Sequence, residues 1–186
     1  VVYGLYYFGW RKGVGLGGLL ILAVYFSIAN GQYKSGLEVL AKDGFSDLKG
    51  KNVGVVINHT SIDQNGKHLI QLAHDNGVQI KAVFTPEHGF KGVVGAGEKV
   101  EDGIEPLTGS PIYSLYGKNN KPTPRMMKGL DVVLFDMQDI GVRYYTYIST
   151  LALVMEVVAE MEVQIWILDR INPLGREILG PILEKE

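Results

Sequence analysis

Four short apolar runs, rich in β-branched residues and separated by helical patterns, constrain this chain more than any other feature. They are VGVVIN (Val53–Asn58), QIKAVFT (Gln79–Thr85), DVVLFD (Asp131–Asp136) and VQIWILD (Val163–Asp169). Runs of this length with little polar alternation are strands buried on both faces of a parallel sheet. The helical patterns fall between them. GLEVLAKDG, from Gly36, is a short amphipathic helix. Gly66 to Asn76 carries Leu69, Ile70, Leu72 and Ala73 at helical spacing, with Gly77 as its C-cap. Thr123 caps a helical turn that has Pro124 in first position and Gly129 just past its end. Tyr147 to Met161 has an apolar face of Leu151, Val154, Met155 and Val158. The alternation predicts an α/β domain with a mainly parallel sheet and flanking helices.

A chain of 186 residues supports one domain with a sizeable core, and an apolar fraction of 46% is globular. The net charge is -2, and no lysine or arginine run builds the positive field that a phosphate backbone requires. Nucleic acid is excluded as an expected partner. The chain has no cysteine, which removes disulfides, thiol nucleophiles and thiolate metal sites together. It begins with valine and stops at GPILEKE with no helix end, so a fragment is expected.

Residues 1–29 are read as an address. Arg11 and Lys12 precede an apolar run from Gly13 to Ala29, and Ser27-Ile28-Ala29 offers a small-residue exit. That combination describes a secretory signal, with a membrane anchor as the alternative. The expected location is therefore exported, periplasmic or extracellular, with membrane contact only through this segment. VVYGLYYFGW before it has no assigned role. Gly13, Gly15 and Gly18 match the dinucleotide-binding spacing, but no strand leads into them, so the match is discarded.

The polar residues are distributed unevenly. Each predicted strand runs into a loop dense in functional groups: Asn58-His59-Thr60-Ser61, then Thr85-Pro86-Glu87-His88-Gly89-Phe90, then Asp136 to Tyr145, then Asp169-Arg170-Ile171-Asn172-Pro173. The loops feeding the strands (LKGKN, DNGV, MKGL, MEV) carry mostly turn chemistry. Parallel strands share one C-terminal edge, and ligands bind in the crevice there. Four loops distant in sequence are thus expected at one cleft.

Each group also has a plainer use. Asn58 and Asp136 serve equally to cap helices or close turns, Asp169-Arg170 to form a structural ion pair, and His59 to hold a hydrogen bond. Glu87 stands out. Pro86 holds Thr85 extended and Gly89 permits a sharp turn, so the carboxylate is presented by a stiffened loop. Phe84 and Phe90 favour a raised pKa suited to a general acid, whereas His88 and Arg143 favour the ionised form. A metal site built from His59, His88, Glu87 and Asp136 has acceptable ligand types but no recognised spacing, and no G-x-S-x-G elbow is present. No cofactor is expected.

At these loops the chain resembles one bacterial family. GKNVGVVINHTSID, VFTPEHGFKG with AGEKV, PIYSLYGKNNKPTPRMMKGLDVVLFDMQDIGVRYYTYISTLALVME and ILDRINPLGREILGPILE are similar to consecutive signature segments of the NamZ-type exo-β-N-acetylmuramidases. The resemblance runs in order from about Gly36 to Glu184. It implies a Rossmann-like catalytic domain over 36–186, incomplete at its C-terminus, with a smaller C-terminal domain beyond and a pocket between the two. It implies release of terminal β-linked N-acetylmuramic acid from peptidoglycan fragments, with Glu87 as the cleft glutamate. Asp136 or Asp139 is the expected second group, the alternatives being a residue of the further domain or the substrate's acetamido group. Substrate binding falls to Asn58, His59, His88, Gln138, Tyr145, Arg170 and Asn172, with Arg143 on the lactyl carboxylate. The competing functions are a non-catalytic sugar- or nucleotide-binding module and a metal-dependent hydrolase.

Overall fold

In the computed structural model, the described residues are 33–86, 102–175 and 177–181. Residues 1–29, read above as an address, and Glu87, His88 and Phe90 lie outside them. The chain runs α1 (Gly36–Lys42), a 3-10 turn (Ser46–Leu48), β1 (Asn52–Ile57), α2 (Leu69–Asp75), β2 (Gln79–Thr85) and β3 (Gly103–Ile104). It continues with β4 (Pro111–Ser114), α3 (Pro124–Met127), β5 (Val132–Asp136), α4 (Tyr147–Glu160) and β6 (Gln164–Ile167).

The six strands form one sheet in the order β3-β4-β2-β1-β5-β6. Every pairing is parallel except β3 with β4. The central strands are apolar because both their faces are covered. Val53, Val55 and Ile57 of β1 join Leu37, Leu40, Leu69 and Ala73 of α1 and α2 in one core. Val56 joins Met127 after α3's start and Val154, Val157 and Val158 of α4 in the other. Helices thus flank both faces, and the fold is Rossmann-like.

Local chemistry sets the element ends. Ser35 opens α1 with a capping box, its backbone N–H donating to Glu38 Oε2 at 2.7 Å while its hydroxyl accepts from Glu38 N–H at 3.3 Å. Gly77, at φ +72°, closes α2, with Gly77 N–H on the His74 carbonyl and Val78 N–H on the Ala73 carbonyl. This double closure requires a left-handed residue, which glycine adopts without a Cβ penalty.

Three sequence expectations are corrected. Helix α2 starts at Leu69 rather than Gly66, because the Asp63 carboxylate takes the N–H groups of Asn65 and Lys67 into a turn. Met155 is 45% exposed, and Val157 takes its place in the core beside Val154 and Val158. Strand β6 spans only Gln164–Ile167 and, as the outer strand, leaves Ile167 48% exposed. The segment before β4 also contributes β3, whose two residues are too short to show a pattern.

Candidate functional site

The strand order reverses at β1. From β1 the chain adds β2 and β4 on one side, then crosses back to lay β5 and β6 on the other. The helices after β1 and after β5 consequently pack on opposite faces, leaving a crevice above the C-terminal ends of these two strands. That is where open α/β sheets bind ligands. The register places Ile57 beside Asp136, so the Asn58 and Met137–Arg143 loops leave the sheet side by side. Thr85, two residues before Glu87, ends β2 at the same edge, and its buried hydroxyl has no partner among the described residues.

Asp136 anchors the crevice. Its side chain is fully buried, and Arg170 clasps it with Nε donating to Oδ1 at 2.6 Å and Nη2 donating to Oδ2 at 3.0 Å. Nη2 also donates to the Ile62 carbonyl at 3.1 Å, and the Ser61 hydroxyl donates to the Asp136 carbonyl. Three strand-end loops, those after β1, β5 and β6, are therefore tied through two side chains. Burial pushes the Asp136 carboxyl above the ordinary carboxylate range, and the Arg170 guanidinium works against that rise. Arg170 takes its partner from across the sheet rather than from neighbouring Asp169.

The β1 loop is held from within. Asn58 is buried, donating from Nδ2 to the Tyr147 hydroxyl at 2.7 Å and accepting at Oδ1 from Thr60 N–H and Oγ1 at 2.9 and 2.6 Å. The Thr60 hydroxyl in turn accepts from Gln138 N–H at 3.0 Å. His68 caps α2, its Nδ1 accepting from Ile70 N–H at 3.3 Å while Nε2 lies 2.9 Å from the Asn58 carbonyl. An accepting Nδ1 leaves Nε2 as the donor, which is the neutral ring. Burial depresses the His68 pKa and favours the same form. His59 is exposed on the rim.

The β5 loop supplies the open groups. Gln138 Nε2 donates to the carbonyls of Asp139 and Ile171 at 2.8 and 2.9 Å, bridging the β5 and β6 loops. Asp139 Oδ1 accepts from Gly141 N–H at 2.7 Å, while its buried Oδ2 has no partner among the described residues. A cavity of about 150 Å³ is lined by Asp139, Asp169 and Arg170 above Phe135, Ile148 and Leu151. Gly141 sits at φ +75°, and a Cβ there would overlap the Asn172 carboxamide, which itself accepts from Leu174 N–H at 2.9 Å. Tyr145 stacks edge-on against Tyr147, with ring centroids 4.6 Å apart. Arg143 is exposed and donates from Nη1 to the Pro181 carbonyl.

Of the residues singled out in the sequence, the described ones all lie on the loops at this edge. Asn58 and Asp136 are engaged inside the protein, whereas one Asp139 oxygen has no partner among the described residues. Sequence reasoning placed Thr60 and Ser61 in the first polar loop without giving either a role, and assigned none to His68 or Tyr147. Only His68 carried a signal, standing immediately before the apolar run of α2 where an N-cap belongs. Among the described residues no three acidic or imidazole side chains gather as metal ligands.

Comparison with known proteins gives a consistent family. The N-terminal family model of the exo-beta-N-acetylmuramidase NamZ matches residues 53–186. The peptidoglycan beta-N-acetylmuramidase NamZ of Bacillus subtilis (strain 168) is 43% identical over 155 residues, covering 82% of this chain and 37% of that protein. A DUF1343 family protein of Bacteroides fragilis NCTC 9343 superposes with a TM-score of 0.69 at 44% identity, over 76% of this chain and 35% of the other. A second DUF1343 protein from the same strain gives 0.67 at 38% identity, over 81% and 38%. The chain thus spans little more than a third of the length of these relatives.

Proposed function

This chain belongs to the NamZ exo-beta-N-acetylmuramidase family, whose N-terminal region it carries, and from that premise we propose that the whole protein hydrolyses the bond joining a terminal β-linked N-acetylmuramic acid to a peptidoglycan fragment. The supporting observation is Asp139, whose Oδ1 is fixed by Gly141 N–H while its buried Oδ2 has no partner among the described residues and lies beside a cavity that Arg170 also lines. A carboxylate held by one oxygen and open at the other suits proton transfer or charge stabilisation.

In this reading Glu87 gives its proton to the leaving glycosidic oxygen as the bond to the anomeric carbon breaks, and a water molecule supplies the new hydroxyl. Asp139 is the second carboxylate, assisting that water or the positive charge on the ring. Asp136, with both oxygens on Arg170, is a positioning residue. Arg143 offers its planar fork to the lactyl carboxylate. His59, His88, Gln138, Tyr145 and Asn172 are the proposed contacts to sugar hydroxyls. Export to the periplasm or the exterior, through the segment at residues 1–29, places the enzyme with its substrate.

The test is incubation of the whole protein with a muramic acid–N-acetylglucosamine disaccharide, assayed for free N-acetylmuramic acid. Glu87→Gln is expected to retain binding and lose turnover. A pure binding module would release no sugar in either form, and a metal-dependent hydrolase would lose activity to a chelator.

A further inference from the structure

Past its last residue, strand β5 stays tied to β1 through a side chain rather than a ladder rung. Phe135 turns its carbonyl toward β6, where it accepts from Leu168 N–H at 2.9 Å. Alternate residues of a strand bond to opposite neighbours, so Gln138 N–H faces β1. With Ile57 beside Asp136, the next rung would carry that N–H to the Asn58 carbonyl. The Asn58 carbonyl instead accepts from Ser61 N–H at 3.1 Å and lies 2.9 Å from His68 Nε2. Gln138 N–H goes to the Thr60 hydroxyl, at 3.0 Å. A side chain from further along the β1 loop replaces the rung.

Proton directions in this link are fixed. A backbone N–H can only donate, so Thr60 Oγ1 accepts from Gln138 and gives its own proton to Asn58 Oδ1, 2.6 Å away. Asn58 Oδ1 also accepts from Thr60 N–H at 2.9 Å, and Nδ2 donates to the Tyr147 hydroxyl at 2.7 Å. Asn58 is buried and bonded at both ends of its amide, so the hydroxyl sits on a fixed support that reaches α4.

What the link holds is Asp139. Gln138 precedes it directly, and the other hydrogen bonds of this stretch stay within the β5 and β6 loops. Gln138 Nε2 donates to the Asp139 and Ile171 carbonyls, and Gly141 N–H donates to Asp139 Oδ1. Among the described residues, the Thr60 bond alone ties Gln138–Gly141 to the loop of the central strand β1. Thr60 itself does not line the Asp139 cavity.

We propose that Thr60 is a positioning residue, whose hydroxyl sets where the Asp139 carboxylate stands in the cavity wall without meeting the substrate. Its consequence for turnover rests on the glycosidase reading, whereas the placement of the carboxylate does not.

The experiment compares the whole protein with Thr60→Val and Thr60→Ser. Valine keeps the backbone N–H on Asn58 Oδ1, so the turn survives and the bond to Gln138 is lost. Serine keeps both. Turnover of the muramic acid–N-acetylglucosamine disaccharide is measured together with amide hydrogen exchange by NMR. The Gln138 amide reports the Thr60 bond, and the Gly141 amide reports the seat of the Asp139 carboxylate. In Thr60→Val both amides are expected to exchange about tenfold faster, the scale of one lost hydrogen bond. Its kcat should fall about 10–100-fold with KM held within about twofold, as a misplaced catalytic group requires. Thr60→Ser should match the parent throughout. Parent-like exchange at Gly141 in Thr60→Val overturns the proposal, and a fall in kcat without that change assigns the hydroxyl to the substrate instead. Faster exchange with parent-like kcat also overturns it. If the parent releases no sugar, the glycosidase reading fails, and faster exchange at Gly141 confined to Thr60→Val still upholds the placement.

Discussion

Arg170 holds both carboxylate oxygens of Asp136, at 2.6 and 3.0 Å, across 34 residues of sequence. The pair is buried and joins the ends of β5 and β6, while the second arm of Arg170 reaches the β1 loop at Ile62. What looks in sequence like two adjacent charges, Asp169 and Arg170, is one half of a cross-strand clamp.

Removing the arginine strands a buried anion. Arg170→Met is expected to cost about 3–5 kcal/mol at neutral pH, measured by denaturant unfolding. Burial already raises the Asp136 carboxyl, and losing the guanidinium raises it further. The folded state then binds the proton more tightly than the unfolded chain, so stability falls as pH rises from the ordinary carboxylate range toward the raised value. The deficit of Arg170→Met should shrink as the pH is lowered. A deficit independent of pH would show that Asp136 is not the group left unpaired.

His68 gives the opposite slope. Its pKa lies below the ordinary value of 6.5 because burial opposes the charged ring. Its contribution is fully present above pH 6.5 and declines as pH falls toward the depressed value, where the ring must charge. His68→Asn keeps a capping side chain and cannot titrate. The variant should unfold with a flatter pH dependence just below pH 6.5 than the parent, and an unchanged slope would locate the effect elsewhere.

Asp139→Asn separates chemistry from architecture. Asparagine keeps an oxygen for Gly141 N–H, so stability should change by less than about 0.5 kcal/mol. Turnover of the muramic acid disaccharide by the whole protein should fall about 10²–10⁴-fold, the range for losing a positioned acid–base group. Wild-type turnover in this variant would remove Asp139 from the mechanism.

Gly141→Ala tests the loop that carries Asp139. A side chain at φ +75° costs about 1–2 kcal/mol, and its Cβ would displace the Asn172 carboxamide. Both lowered stability and lowered turnover are expected. Retention of full turnover would mean that the spacing between the β5 and β6 loops does not set activity.

The inner strands were legible because their physics is local. Val53, Val55, Val56 and Ile57 are all fully buried, and a β-branched run without polar alternation has few other uses in a helix-flanked sheet. The gathering of polar loops at one edge followed from parallelism alone. The partners within that edge were not legible. That Asn58 spends its amide on Tyr147, or that Asp136 is claimed by Arg170 while one Asp139 oxygen has no partner among the described residues, depends on strand order and loop path. The apolar face of α4 was legible only in part: Met155 is exposed, and Val157 is buried beside Val154 and Val158.

The outer position of β6 has a practical side. Among the described residues nothing pairs with its far edge, and Ile167 lies half-exposed there. Bare strand edges with apolar neighbours template the addition of another chain. This region produced alone is therefore a candidate for concentration-dependent self-association, and a lysine at position 167 is the conservative remedy when crystals or spectra are sought.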